Sequence, residues 1–213
     1  MRRKQRYVVV TGDLLGSSRL TERERGGLQK KVLAALAECN ERFSQDIVAP
    51  FTIVAGDEFQ GLLKSVPASL DVVGFLQRAL HPHVARFGVG CGGMSTQLYE
   101  STGPMDGECF HRSRAALTRA EKEKAATRYD TGNEFADTAV NSILDLTQAI
   151  QQDWKPLHHR RFRLYEQYRD LQKVAEKDRV SKAAVGKSLK RAKYQAVLTA
   201  GAGVRRLLST LTD

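Results

Sequence analysis

Two strand-length runs, Val48–Ala55 and Glu58–Leu63, are separated only by Gly56-Asp57, and this pair of runs sits between two stretches of helical periodicity. A Gly-Asp pair closes a tight turn because glycine takes positive φ without steric cost. The hairpin therefore belongs inside a sheet whose other strands are reached through helices. Upstream, Thr21 to about Ser44 carries Leu28, Val32, Leu33, Leu36 and Phe43 at three- and four-residue spacing, which predicts an amphipathic helix. Thr21 with Glu24 three residues on has the form of a capping box. Downstream, Ser65 to about Leu80 repeats the pattern with Leu70, Val73, Phe75, Leu76 and Leu80.

Two more strands flank these helices. Tyr7–Val10 is a β-branched run ending at Gly12-Asp13, and Arg86–Met94 is a strand rich in small residues. Glycine weakens a strand, and marks the close approach of a ligand or of another backbone. A third helix over Gly107–Lys124 and a last strand over Thr127–Tyr129 complete the order. The sequence β-α-β-β-α-β is that of a ferredoxin-like split βαβ, so the expected fold is α+β, an antiparallel sheet with helices on one face. This first domain is placed at residues 1–133, a connecting helix at 134–153, and an all-α module at 154–213.

Charge separates the two ends. Of the net +10, residues 151–213 hold +9 and residues 1–150 hold +1. A basic module joined to a near-neutral one points to a polyanion partner for the module. Within it, Leu171–Ala192 has helix-turn-helix spacing. Leu171, Val174 and Ala175 line the first helix, Val180 plugs the turn, Ser181 caps the next helix, and Val185 and Leu189 point inward. The outward residues expected at DNA are Ser181, Lys182, Ala183, Lys187, Ser188, Lys190 and Arg191, those near the helix start at base edges and the later cations at phosphates. A last helix, Tyr194–Leu211, offers an apolar face for a homodimer.

The chemistry of the first domain is expected where strand one ends beside the hairpin. Asp13 and Asp57 fall there, with Glu58 as a third acid. Carboxylates in this arrangement suit Mg²⁺ or Mn²⁺, which take oxygen ligands and share them with substrate phosphates. The backbone of Gly12, Leu14, Gly16 and Ser17, with Gly56 in the hairpin, forms the expected phosphate cradle of a nucleotide site. No Ser-His-Asp set, cysteine pair or Walker-type loop is present, so no catalytic residue is assigned. The three cysteines are scattered and no apolar segment reaches membrane-spanning length, which suits a cytoplasmic protein with no membrane partner.

The segments Tyr7-Val-Val-Val-Thr-Gly-Asp13, Phe51-Thr-Ile-Val-Ala-Gly-Asp-Glu-Phe-Gln-Gly-Leu-Leu63, Arg86-Phe-Gly-Val-Gly-Cys-Gly-Gly-Met94 and Met105–Leu117 together resemble the SatD family of bacterial proteins. That family carries a C-terminal helix-turn-helix similar to region four of sigma factors. More remotely, the first domain is similar to nucleotidyl cyclases and other palm-type domains. This resemblance implies a cyclase-like sheet with metal acids at Asp13 and Asp57. It also implies an arginine for the nucleotide on the third helix. His111 stands where the cyclases carry Asn and Ala115 where they carry Arg, leaving Arg112 or Arg114 for that role. The resulting expectation is a DNA-binding regulator whose palm-like domain binds a nucleotide with a divalent metal. The alternatives are a metal-dependent nucleotidyl cyclase or nucleotidyltransferase, and a non-catalytic dimerisation scaffold.

Overall fold

The computed structural model describes residues 5–16 and 20–211. The chain folds as two compact units, one running to Asn141 and including the residues from Arg205 onward, the other spanning Ser142–Val204.

In the first unit the elements are β1 (Tyr7–Leu14), α1 (Glu22–Arg42), β2 (Ile47–Ala55), β3 (Glu58–Leu63), α2 (Val66–Leu80), β4 (Ala85–Gly92), α3 (Glu108–Lys122), β5 (Thr127–Asp130) and the start of α4 (Glu134–Gln152). Thr21 and Glu24 make the capping box at the head of α1, the Thr21 hydroxyl accepting from the Glu24 N–H and the Glu24 carboxylate accepting from the Thr21 N–H at 2.9 Å. Leu28, Val32 and Leu36 are buried as their spacing requires, whereas Leu33 lies off that stripe and is exposed.

The strand order is β2-β3-β1-β4-β5. The first four strands pair antiparallel, as the split βαβ order demands, while β5 pairs parallel to β4. The sheet is therefore mixed rather than purely antiparallel, because α3 is a crossover helix that returns the chain to β5 in the direction of β4.

Register fixes which side chains share a face. Thr11 pairs with Gly88 and Val9 with Gly90, so these four lie on one side of the sheet. Gly12, Phe59 and Phe87 lie on the other, with the Phe59 and Phe87 rings edge to face and the Phe59 ring filling the space over Gly12. The α2 helix belongs to the Phe59 side: its Ser69 hydroxyl meets the Tyr129 hydroxyl, and Tyr129 is the register partner of Val89. The α3 helix lies on the opposite side, where Ser113 meets Thr11. Helices thus cover both faces, and the expectation of a single helical layer is corrected. The cause is the glycine alternation in β4. A Cβ on Gly88 would stand 2.8 Å from the Leu117 Cα, and one on Gly90 2.7 Å from the Arg112 carbonyl carbon. With no side chains there, a helix backbone settles directly on the strand. Of the two readings of a glycine-rich strand, close approach of another backbone accounts for Gly88 and Gly90.

The second unit is all helical: the rest of α4, then α5 (Pro156–Tyr168), α6 (Leu171–Asp178), α7 (Lys182–Arg191) and most of α8 (Tyr194–Ser209). Its core is Trp154, Phe162, Val174, Ala175, Val185, Leu189, Ala192 and Val197. The Trp154 ring packs edge to face on Phe162, and its indole N–H donates to the Ala192 carbonyl at 2.9 Å. The turn from α6 to α7 has Arg179 in the left-handed region at φ 55, the position a glycine usually takes. Ser181 caps α7, accepting from the Ala184 N–H at 3.2 Å. Val180 does not plug this turn; it is exposed, its N–H bonded to the Ala175 carbonyl. On α8, Val197 is buried in this core.

Gly88→Ala and Gly90→Ala should each lower the free energy of unfolding by roughly 1–3 kcal/mol, the usual cost of overpacking. Gly93→Ala, which meets nothing within 4 Å, should leave it nearly unchanged. Chemical denaturation monitored by circular dichroism measures all three.

Candidate functional site

The end of β1 brings charge together through strand register. Asp13 pairs with Glu58 of β3 on one side and with Arg86 of β4 on the other. Asp57 occupies the hairpin turn beside Gly56, whose φ of 57 is what lets the two-residue turn close. Burial first, and then the negative charges of Asp57, Glu58 and Glu121, push the Asp13 carboxyl above its ordinary value, with Arg86 opposing them. Three acids thus act on a fourth at the end of the central strand.

Arg114, near the middle of α3, holds one of them. Both of its terminal nitrogens donate to the two Glu58 oxygens, one at 2.6 Å, and this pairing favours its charged form. Bidentate arginine–carboxylate pairs fix orientation as well as charge. Glu58 is therefore turned toward α3, and among the described residues no group of three or more His, Cys, Asp or Glu is arranged to hold a metal ion. Of Asp13, Asp57 and Glu58, it is Glu58 whose carboxylate is held by an arginine.

Behind the acids, on the face covered by α3, the sheet carries a buried hydrogen-bonded ladder. The Gln60 amide donates to the Thr11 hydroxyl at 2.9 Å, and the Ser113 hydroxyl donates to the Gly88 carbonyl at 2.9 Å. The contact between the Thr11 and Ser113 hydroxyls at 2.7 Å then has Thr11 as its donor. This ladder joins β3, β1 and α3 in one network and holds the helix that carries Arg114.

The remaining expected nucleotide residues divide. Gly12 and Leu14 lie inside β1 with their register partners on β4, and Gly12 is a glycine because the Phe59 ring occupies its side-chain space. Gly16, at φ 75, is open, with nothing within 4 Å of an added Cβ; Ser17 lies outside the described residues. Arg112 does not join the acids. It donates to the carbonyl of Cys91 at 2.6 Å and pairs with Glu108 at 2.7 Å. Cys91 lies at the far end of β4 from Arg86, so Arg112 anchors α3 at the opposite end of the sheet. Arg86 and Glu121 were not singled out from the sequence. Glu121 stands seven residues after Arg114, the two-turn spacing that puts both on one helical stripe.

In the second unit, Ser181, Lys182, Ala183, Lys187, Lys190 and Arg191 are all exposed at or along α7. Ser188 is not among them. It is buried, because it sits three residues after Val185 and next to Leu189, on the stripe that faces the core.

Asp13→Asn should raise the melting temperature at about pH 7.5, and the gain should fade toward about pH 4. The folded-state pKa is raised, so a protonated Asp13 costs the fold nothing, and the penalty enters as pH rises through the carboxylate range. Thermal melts of both proteins across this range measure it; a gain that does not depend on pH would contradict the electrostatic origin.

The profile of the SatD family matches residues 7–206, and the chain belongs to that family. Among solved structures it is similar to a bacterial light-regulated adenylyl cyclase, at 15% identity and a TM-score of 0.44 over 58% of this chain and 74% of that one. It is similar to a guanylyl cyclase domain from the aquatic fungus Blastocladiella emersonii, at 12% identity and a TM-score of 0.40 over 54% of this chain and 74% of that one. It is also similar to the adenylyl cyclase CyaB from P. aeruginosa, at 13% identity and a TM-score of 0.38 over 53% of this chain and 71% of that one. No curated protein matches the sequence.

Proposed function

Starting from a member of the SatD family, we propose a DNA-binding regulator whose first unit binds a nucleotide together with Mg²⁺ or Mn²⁺. The observation that carries the DNA part is α7. Val185, Ser188 and Leu189 are buried, while Lys182, Lys187, Lys190 and Arg191 are exposed, so one short helix separates an apolar side from a cationic one. Ser181 caps its start, leaving the first turn open to solvent. The unit that carries it, Ser142–Val204, has a net charge of +7. In this reading α6 and α7 form a helix-turn-helix: Lys182 and Ala183 address base edges, and Lys187, Lys190 and Arg191 address phosphates. DNA is the partner, in the cytoplasm, and a homodimer would read two half-sites.

Lys187→Ala with Arg191→Ala should weaken binding to duplex DNA and lower the slope of log affinity against log salt by about 2, one for each phosphate contact removed. Fluorescence polarisation across a salt series measures both. Unchanged affinity would remove the DNA reading.

The nucleotide part rests on the acids around Asp13. Asp13 and Asp57 supply the carboxylate oxygens that Mg²⁺ favours, and with Glu58 tied to Arg114 the remaining positions would fall to phosphate oxygens and water. A divalent cation there would offset the negative charges of Asp57, Glu58 and Glu121, which add to burial in raising the Asp13 pKa. Mg²⁺ with a nucleoside triphosphate should therefore raise the melting temperature of the native protein and not that of Asp57→Asn. Chromatography of the same mixtures separates two outcomes: a cyclic or linked product would make the unit a nucleotidyl cyclase or nucleotidyltransferase, and a thermal shift without product would make it a sensor. Neither shift nor product would leave it a dimerisation scaffold.

A further inference from the structure

A helix that reads base edges must be held at a fixed angle, and an apolar core of this size supplies little direction of its own. The helices concerned are short: 13 residues in α5, 8 in α6 and 10 in α7. Hydrophobic burial holds them together but is non-directional. Beside that core lies a contact of a different kind. Asp178 is the last residue of α6, and its side chain is 1% exposed. It accepts from the Arg161 Nε of α5 at 2.6 Å, and its other oxygen pairs with Arg160. The Arg161 side chain is 8% exposed, and its Nη1 donates to the Ala184 carbonyl in the first turn of α7 at 3.3 Å. One guanidinium thus touches the end of α6 and the start of α7, bracketing the turn Arg179–Ser181 between them.

Moving a carboxylate and a guanidinium out of water costs several kcal/mol for each ion, and their attraction returns this only when the geometry is right. The net gain in stability from such a pair is small, so its placement here points to geometry rather than to stability. The Arg161 and Asp178 side chains are both buried, so neither presents its charge to a ligand of α7.

We propose that Arg161 and Asp178 are positioning residues for α7: together they set its register against α5 and α6, and so its discrimination between DNA sequences. This rests on the DNA reading above and adds to it a division of labour. Exposed cations on α7 set how strongly the chain holds any duplex; the buried pair sets how far it prefers one.

The test uses the full chain, a duplex enriched by the native protein from a randomised library, and a mixed-sequence duplex of the same length. Arg161→Met with Asp178→Leu replaces the pair by apolar side chains of similar volume, and Arg161→Lys keeps the charge while losing the planar fork. In both variants affinity for the enriched duplex should fall about tenfold or more, the scale of one poorly read base pair. Affinity for the mixed-sequence duplex and its salt slope should stay unchanged in Arg161→Lys, which leaves Arg160 paired with Asp178. Equal loss on both duplexes, in step with a lowered melting temperature, would mark the pair as merely structural. An unchanged ratio in folded protein would likewise overturn the proposal. Should the double variant fail to fold, Arg161→Lys decides alone. Native protein that enriches no duplex would instead remove the DNA reading itself, before any variant is compared.

Discussion

The first unit depends on one contact, the seating of α3 on β4 where Gly88 and Gly90 leave the strand bare. What α3 adds to the acids at the end of β1 is downstream of it. Because the helix backbone rests on the strand, Ser113 reaches across to Thr11 and the Gly88 carbonyl. Arg114 then reaches Glu58, and Glu121 adds its charge to the field at Asp13. A methyl group at either glycine would lift the helix, and the polar ladder, with only the reach of hydrogen bonds, would not follow. Two small omissions in a strand therefore place the arginine and the fourth acid that α3 brings to the strand ends.

Much of this was legible in the sequence, because it follows from local pattern. The hairpin was marked by its turn dipeptide, α1 by its capping box and apolar spacing, and α7 by Ser181 with Val185 and Leu189 four apart. The faces of the sheet were not legible. Nothing local to α3 says on which side it packs, and only the alternation of Gly88, Gly90 and Gly92 hinted that a backbone would come close there. The parallel pairing of β5 escaped for the same reason: strand direction is set by the crossover, not by the four residues of the strand. Ser188, expected on the outer face, is buried because it shares the inner stripe with Val185 and Leu189. Arg112 and Arg114 are two residues apart and serve opposite ends of the sheet, a distinction that composition cannot make.

The two units handle buried charge in opposite ways. At Asp13 like charges gather, and the fold bears a repulsion that a cation would remove. At Asp178 opposite charges meet, one carboxylate oxygen accepting from Arg161 and the other lying in ion-pair contact with Arg160. One arrangement sets like charges together at the end of a central strand, while the other sets opposite charges together at the end of a helix. Proteins keep costly charge placements where binding or geometry needs them.

The single tryptophan of the chain is Trp154, buried in the helical unit with its indole N–H bonded to the Ala192 carbonyl. Its emission therefore reports on the packing of that unit alone. The sheet unit, which holds no indole, stays silent at the same wavelength. The protein carries a built-in optical label that separates the unfolding of one half from that of the other without any added dye.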